Sequence, residues 1–151
     1  MKCELLLTYR AQLKPGVEVG MGPIGNRMFF EITGGTFEGP RLRGKILTGG
    51  GDWLILDSAG VARLDVRGVF ETHDGAHIYV QYPGIIVFDE KTQAALAGGP
   101  ATQYGDTHWV TQPRFETGDP RYAWLNNVMA VGEGHAVPNA VEYRVFECIG
   151  G

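Results

Sequence analysis

Short β-type runs, rich in branched and aromatic residues, cover most of the chain. They are Glu4–Tyr9, Met28–Thr33, Thr36–Glu38, Leu42–Leu47, Trp53–Asp57, the longer Val61–His73, Ala76–Tyr82, Ile85–Phe88, Thr107–Phe115, Tyr122–Val131 and Val141–Cys148. Turn residues punctuate them: Lys14-Pro15-Gly16, Gly39-Pro40, Gly49-Gly50-Gly51, Asp74-Gly75, Pro83-Gly84 and Gly118-Asp119-Pro120. Glu90–Leu96 is the one helix candidate, and it is short. Many short strands with almost no helix predict an all-β sandwich or closed barrel in a single domain spanning residues 1–151.

One hairpin can be registered from sequence. Asp74-Gly75 suits a two-residue type I′ turn, which would pair Thr72 with His77, Phe70 with Tyr79 and Arg67 with Tyr82. Asp65, Arg67, Val69 and Glu71 would then share a face with Ile78, Val80 and Tyr82, and Leu64, Val66, Phe70 and Thr72 one with Tyr79 and Gln81. Neither face is uniformly polar, so the sheet calls for cover on both sides. A barrel interior supplies one cover, and a second subunit would supply the other, making a homo-oligomer the expectation.

Composition sharpens this picture in one respect. The 151 residues include 23 glycines, roughly twice the usual share of about 7%. Without a collagen-like period, such an excess fits bends, bulges and tight turns. The net charge is −4 and the basic residues form no stripe, which argues against a nucleic-acid surface. No apolar run reaches the roughly 20 residues of a membrane helix, and the start lacks a signal-peptide core. A cytoplasmic location follows as the default. Cys3 and Cys148 lie near opposite ends. They would approach each other if the first and last strands are neighbours, and in a reducing compartment they read as free thiols.

The chemistry-bearing residues cluster beside glycine bends. Asp52 and Trp53 follow three glycines; a carboxylate against an indole loses hydration and becomes a proton-transfer candidate, while the plain alternative is a turn aspartate with a core tryptophan. Asp65 and Arg67 point the same way along one strand. Inside a barrel Arg67 would hold an oxyanion while Asp65 orients it; outside, they would be an exposed ion pair. Tyr122, Trp124 and Asn126 share a face if the segment is a strand, reading as a pocket wall with one orienting amide or as a core stripe. Glu116 is a second carboxylate candidate. Gly20-Met21-Gly22-Pro23-Ile24-Gly25 fits a dinucleotide fingerprint literally, but no helix follows it. It reads as a barrel-mouth loop that delivers Arg27. His73 and His77 bracket a turn on opposite faces, so no metal site is expected.

Thr33–Pro40, Gly49–Trp53, Leu64–Arg67, Thr72–Gly75 and Phe115–Asn126, in this order and spacing, resemble the bacterial family catalogued as domain of unknown function 3237. The resemblance covers nearly the whole chain. It implies a compact antiparallel β-barrel of calycin or allene-oxide-cyclase-like type, cytoplasmic and often oligomeric, and says little about activity.

The expectation is therefore a cofactor-independent isomerase, cyclase or lyase acting on a small oxygenated, partly apolar molecule. Asp52, Glu116 and Arg67 would be catalytic. Arg27, Trp53, Asp65, Tyr82, Tyr122, Trp124 and Asn126 would bind the ligand. The alternative is a carrier barrel that binds without chemistry.

Overall fold

The computed structural model describes residues 1–151. Twelve strands form one sheet that closes on itself as an eight-stranded antiparallel barrel. The strands are β1 (Lys2–Leu13), β2 (Val17–Met21), β3 (Asn26–Glu38), β4 (Arg43–Ile46), β5 (Gly51–Asp52), β6 (Ile55–Leu56), β7 (Val61–Thr72), β8 (His77–Val87), β9 (Trp109–Thr111), β10 (Arg114–Glu116), β11 (Ala130–Val137) and β12 (Ala140–Ile149). Helix α1 (Glu90–Leu96) and a 3-10 helix (Pro120–Asn127) complete the chain. Around the barrel, β1 pairs with β3, β3 with the broken stave β4–β5–β6, that stave with β7, and β7 with β8. From there β8 pairs with β9, β9 with β11, β11 with β12, and β12 with β1. Closure leaves no long open edge in the wall.

Alternation decides which side chains fill the barrel. On β7, Ala62, Leu64, Val66, Phe70 and Thr72 are buried, whereas Arg63, Asp65, Arg67 and Val69 are exposed. Their buried partners on β8 are Ile78, Val80 and Tyr82, from the pairs Phe70–Ile78, Gly68–Val80 and Val66–Tyr82. The sequence-based register was therefore off by one residue. Thr72 pairs with Ala76: its N–H donates to the Ala76 carbonyl at 2.9 Å, and its hydroxyl accepts from the Ala76 N–H at 2.8 Å. The turn is a three-residue loop with Gly75 at φ 90°, the arrangement of a type I turn closed by a left-handed residue. A slip of one residue exchanges the faces of one strand relative to the other, which puts Asp65 and Arg67 on the outer wall.

The second correction concerns Tyr122–Val131. Its first part is the 3-10 helix rather than a strand, so the chain has two short helices. Asp119 caps it by accepting from the Arg121 N–H, and Pro120 occupies its first turn. Tyr122 and Leu125 are buried beneath it. They plug the end of the barrel formed by the β7–β8 turn, where Phe37, Phe70, Phe115 and Val145 fill the interior. Helix α1 lies against β11 at the opposite end, capped by Asp89 through the Thr92 N–H. The loop 22–25 is the hairpin turn between β2 and β3, with the Gly22 N–H donating to the Gly25 carbonyl at 2.9 Å. Cys3 and Cys148 face each other across β1 and β12 with sulfurs 3.8 Å apart, both as free thiols.

Candidate functional site

The α1 end of the barrel is not filled. A cavity of about 40 Å³ remains there, lined by fourteen residues of which thirteen are hydrophobic, with room for no more than a few water molecules. In that lining Leu13 and Leu96 are partly exposed, whereas Phe30, Val66, Tyr82, Trp109 and Tyr143 are buried. The single ionisable carboxyl in that lining is Asp52.

Local geometry explains how an aspartate comes to face an apolar interior. Gly50 and Gly51 lie so close to neighbouring atoms that a side chain could not fit. A Cβ on Gly50 would stand 2.5 Å from the Arg67 carbonyl oxygen, and one on Gly51 would stand 2.4 Å from the Phe29 ring. Glycines let this two-residue strand wedge between β3 and β7, pairing Asp52 with Phe30 and Val66, both interior residues. Partners directly opposite in a sheet point to the same face, so the carboxyl is aimed inward. Its Oδ1 accepts the Asp65 N–H at 3.1 Å. Burial, partly offset by that hydrogen bond and reinforced by the nearby Asp65 carboxylate, pushes the Asp52 carboxyl up from 3.8 to about 7.

Three tyrosines and a tryptophan make up the rest of the polar inventory. The Tyr9 hydroxyl donates to the Tyr82 hydroxyl at 2.9 Å, and Trp109 Nε1–H donates to the Tyr143 hydroxyl at 2.9 Å. Tyr9 stacks on Tyr143 with ring centres 4.8 Å apart, and Tyr82 meets Tyr143 edge-on at 5.7 Å. Gly134 makes room for the Trp109–Tyr143 contact: a Cβ there would lie 2.8 Å from both Trp109 Nε1 and the Tyr143 ring. Burial raises all three phenols well above their ordinary value, so they remain protonated donors at neutral pH. Sequence reasoning singled out Tyr82 but missed Tyr9, Tyr143 and Trp109. Their signal was alternation with aliphatic residues, as in Leu7-x-Tyr9-x-Ala11 and Val141-x-Tyr143-x-Val145.

Of the residues expected to form the site, the structure brings only Asp52 and Tyr82 to the cavity. Arg67 and Asp65 stand outside with side chains 58% and 51% exposed and 4.0 Å apart. Trp53, the residue after β5, is exposed on the outside, where it packs on Phe29 at 4.9 Å. Arg27 binds the Trp53 carbonyl through Nη1 at 2.7 Å, on the same outer side. Glu116 is exposed opposite Tyr79. Tyr122, Trp124 and Asn126 belong to the plug at the far end, about 20 Å along the strand direction from Asp52. There the Tyr122 hydroxyl meets Asp74 at 2.9 Å, Arg41 covers the Trp124 ring at 3.8 Å, and the Asn126 amide brackets the Thr117 backbone. These three contacts are structural. Glu71 takes His77 at 2.9 Å.

Residues 1–148 match the family described as protein of unknown function DUF3237. The chain belongs to this family. Among its relatives, a UPF0311 protein of Rhodopseudomonas palustris is 30% identical over 132 residues, covering 87% of this chain and 86% of the relative. A solved β-barrel like protein from Acinetobacter baumannii is 38% identical, with a TM-score of 0.81 over 97% of this chain and 94% of that one. A Penicillium roqueforti protein, PR-toxin biosynthesis cluster protein 7, is 31% identical over 137 residues, covering 76% of this chain and 72% of the relative.

Proposed function

We propose that this DUF3237 protein is a cofactor-independent enzyme of the isomerase, cyclase or lyase kind. It moves a proton on a small oxygenated, partly apolar molecule held at the α1 end of the barrel. One observation carries the reading: the Asp52 carboxyl faces an apolar cavity that raises it to about 7. A group that ionises near the working pH is present in both forms, so it can take a proton and return it. The fungal relative supports a small-molecule role, being named for a toxin biosynthesis cluster. A carrier barrel would use the same apolar lining without needing a carboxyl in it.

The test is Asp52→Asn. Incubated with a panel of small apolar ketones in deuterated water, wild-type protein should catalyse exchange of a C–H hydrogen, read by proton NMR. The variant should lose that exchange while binding the same ketone within several-fold. Exchange that persists in the variant removes Asp52 from the mechanism.

Two further aspects belong to this proposal. A cytoplasmic location is part of the same reading, and there Cys3 and Cys148, with sulfurs 3.8 Å apart, would be kept as thiols. No helix is long and apolar enough to cross a membrane. A homo-oligomer finds support at β2, where Val17, Val19 and Met21, with Ile24 beyond, are all more than half exposed on a strand that pairs only with β3.

A further inference from the structure

Resting on that reading of Asp52, the geometry points to an oxyanion site formed by the Tyr82 and Tyr143 hydroxyls, and so to an enolisable apolar ketone or enone as the substrate class. Three features of the cavity converge on this.

Each of the two phenols that line the cavity has a donor behind it. Tyr82 accepts from Tyr9, and Tyr143 accepts from Trp109, both at 2.9 Å. Neither of these two bonds uses the hydrogen of the accepting hydroxyl, and the two accepting hydroxyls lie close enough to interact with each other. A hydroxyl that accepts a hydrogen bond becomes a stronger donor through polarisation. The two phenols also adjoin each other: their rings meet edge-on at 5.7 Å. A linked chain of four polar groups, Tyr9, Tyr82, Tyr143 and Trp109, therefore borders with its two central hydroxyls an apolar space that also contains a carboxyl and no cation. That combination suits an oxygen that is neutral in the ground state and negative in the transition state, which is where preorganised donors accelerate a reaction.

The donors favour an uncharged substrate over a carboxylate or phosphate. A ligand anion would meet the Asp52 carboxylate with no Arg or Lys in the lining to offset the repulsion. Size points the same way. The free space of about 40 Å³ accepts a carbonyl group and little beyond it, so the remaining atoms must be taken up by displacing lining side chains such as the partly exposed Leu13 and Leu96. Those side chains are apolar and require an apolar substrate body.

The step balances without a co-reactant. The Asp52 carboxylate removes a proton from the carbon beside the carbonyl. The C–H electron pair becomes the new C=C bond, and the carbonyl π pair moves onto oxygen, which accepts hydrogen bonds from Tyr82 and Tyr143. The carboxyl then returns the proton to another carbon of the same conjugated system, which shifts the double bond. Alternatively the enolate carbon attacks an electrophilic carbon of the same molecule, closing a ring, and the carboxyl protonates the oxygen released.

The test uses 4-nitrophenol as an enolate mimic, because its phenolate and phenol absorb at different wavelengths. It is bound to full-length Asp52→Asn protein, which removes the competing carboxylate. The bound ligand should be phenolate at a pH at least one unit below that at which free 4-nitrophenol ionises. Tyr82→Phe and Tyr143→Phe, each in that background, should weaken phenolate binding about tenfold or more, the effect of one hydrogen bond to a charged acceptor. Tyr79→Phe on the outer wall should change nothing. Near-ultraviolet circular dichroism checks that each variant is folded. If a cavity variant does not fold, the ionisation state of the ligand bound to the Asp52→Asn protein decides alone. Absence of binding, binding of the neutral phenol only, or phenolate binding indifferent to both tyrosines overturns the inference. The acid–base role of Asp52 stands or falls separately, on the deuterium exchange lost in Asp52→Asn.

Discussion

Asp52→Asn should also change stability, with a dependence on pH that the site dictates. A carboxyl at about 7 in the folded protein and 3.8 when unfolded binds its proton more tightly in the folded state. Below pH 3.8 it is protonated in both states, and its contribution is fully present. Between 3.8 and 7 the unfolded chain releases the proton while the folded protein keeps it, so stability falls as pH rises. Above about 7 the loss is complete. The gap between the two values corresponds to about 4 kcal/mol, at ~1.4 kcal/mol per pH unit. Asparagine does not titrate, and its side-chain oxygen can still accept the Asp65 N–H. The variant should therefore be up to about 4 kcal/mol more stable than wild type at pH 8. For a chain of this size that is about 10 °C in melting temperature. The difference should shrink to near zero around pH 4.

Urea denaturation of both proteins from pH 4 to 8.5 measures this directly. Asp57, Glu71, Asp74 and Asp119 are held below their ordinary values by hydrogen bonds and neighbouring positive side chains. Their contributions run the other way, being lost as pH falls, but they are present in both proteins and cancel in the difference. A difference that stays constant across the range, or a wild type that is the more stable partner at pH 8, would show that the Asp52 carboxyl is solvated, and the proposed chemistry would lose its basis.

Arg67→Ala should leave both deuterium exchange and 4-nitrophenol binding unchanged and shift stability by less than about 0.5 kcal/mol, because the side chain is exposed on the outer wall; a lost activity would return it to the site. Gly35→Ala should cost several kcal/mol or prevent folding, since Gly35 has φ 147° and its Cβ would stand 2.0 Å from the Arg10 carbonyl oxygen. Gly75→Ala, at φ 90° with open space around it, should cost only about 1 kcal/mol; thermal unfolding compares the two. Mild oxidation should join Cys3 to Cys148 within one chain, detected by thiol titration. Pinning a loop of this length should raise stability by at most about 5 kcal/mol in the chain-entropy account, an effect reversed by dithiothreitol.

The barrel was legible in the sequence because it rests on local signals: alternation within strands, glycine and proline between them, and the Glu90–Leu96 helix, found with those same limits. The site was legible only where local geometry makes it. Of the three glycines before Asp52, Gly49 makes the turn at φ 105°, and Gly50 and Gly51 let the backbone squeeze between neighbours, which places that carboxyl inside. Arg67 was misplaced because Thr72-His73-Asp74-Gly75 is compatible with two turn lengths. The one formed depends on the Thr72 hydroxyl and backbone both binding Ala76. Tyr122, Trp124 and Asn126 alternate like a strand, but Asp119-Pro120 before them supplied the competing signal, a helix cap followed by proline. The Tyr9, Tyr143 and Trp109 constellation comes from three strands distant in sequence and becomes visible only when the barrel closes.

The two ends of the barrel are built from different aromatic residues, and the difference has a physical consequence. At the plugged end the interior rings are Phe37, Phe70 and Phe115, which pack without any polar obligation, and Tyr122, whose hydroxyl meets Asp74 at 2.9 Å. Around the cavity Phe30 and Phe88 are joined by Tyr82, Tyr143 and Trp109, with Tyr9 bonded to Tyr82. A buried hydroxyl or indole N–H left without a partner costs about 1–3 kcal/mol, so a core selected for stability alone gains nothing from these rings over phenylalanine. Here the cost is limited by linking them, Tyr9 to Tyr82 and Trp109 to Tyr143. Each link satisfies one donor. Asp52 imposes a similar burden, since its ionised form is disfavoured where it stands. Asp52 and the linked Tyr82, Tyr143 and Trp109 thus collect around the apolar cavity at the α1 end, while the other end, closed by Tyr122 and Leu125, carries packing that offsets their cost.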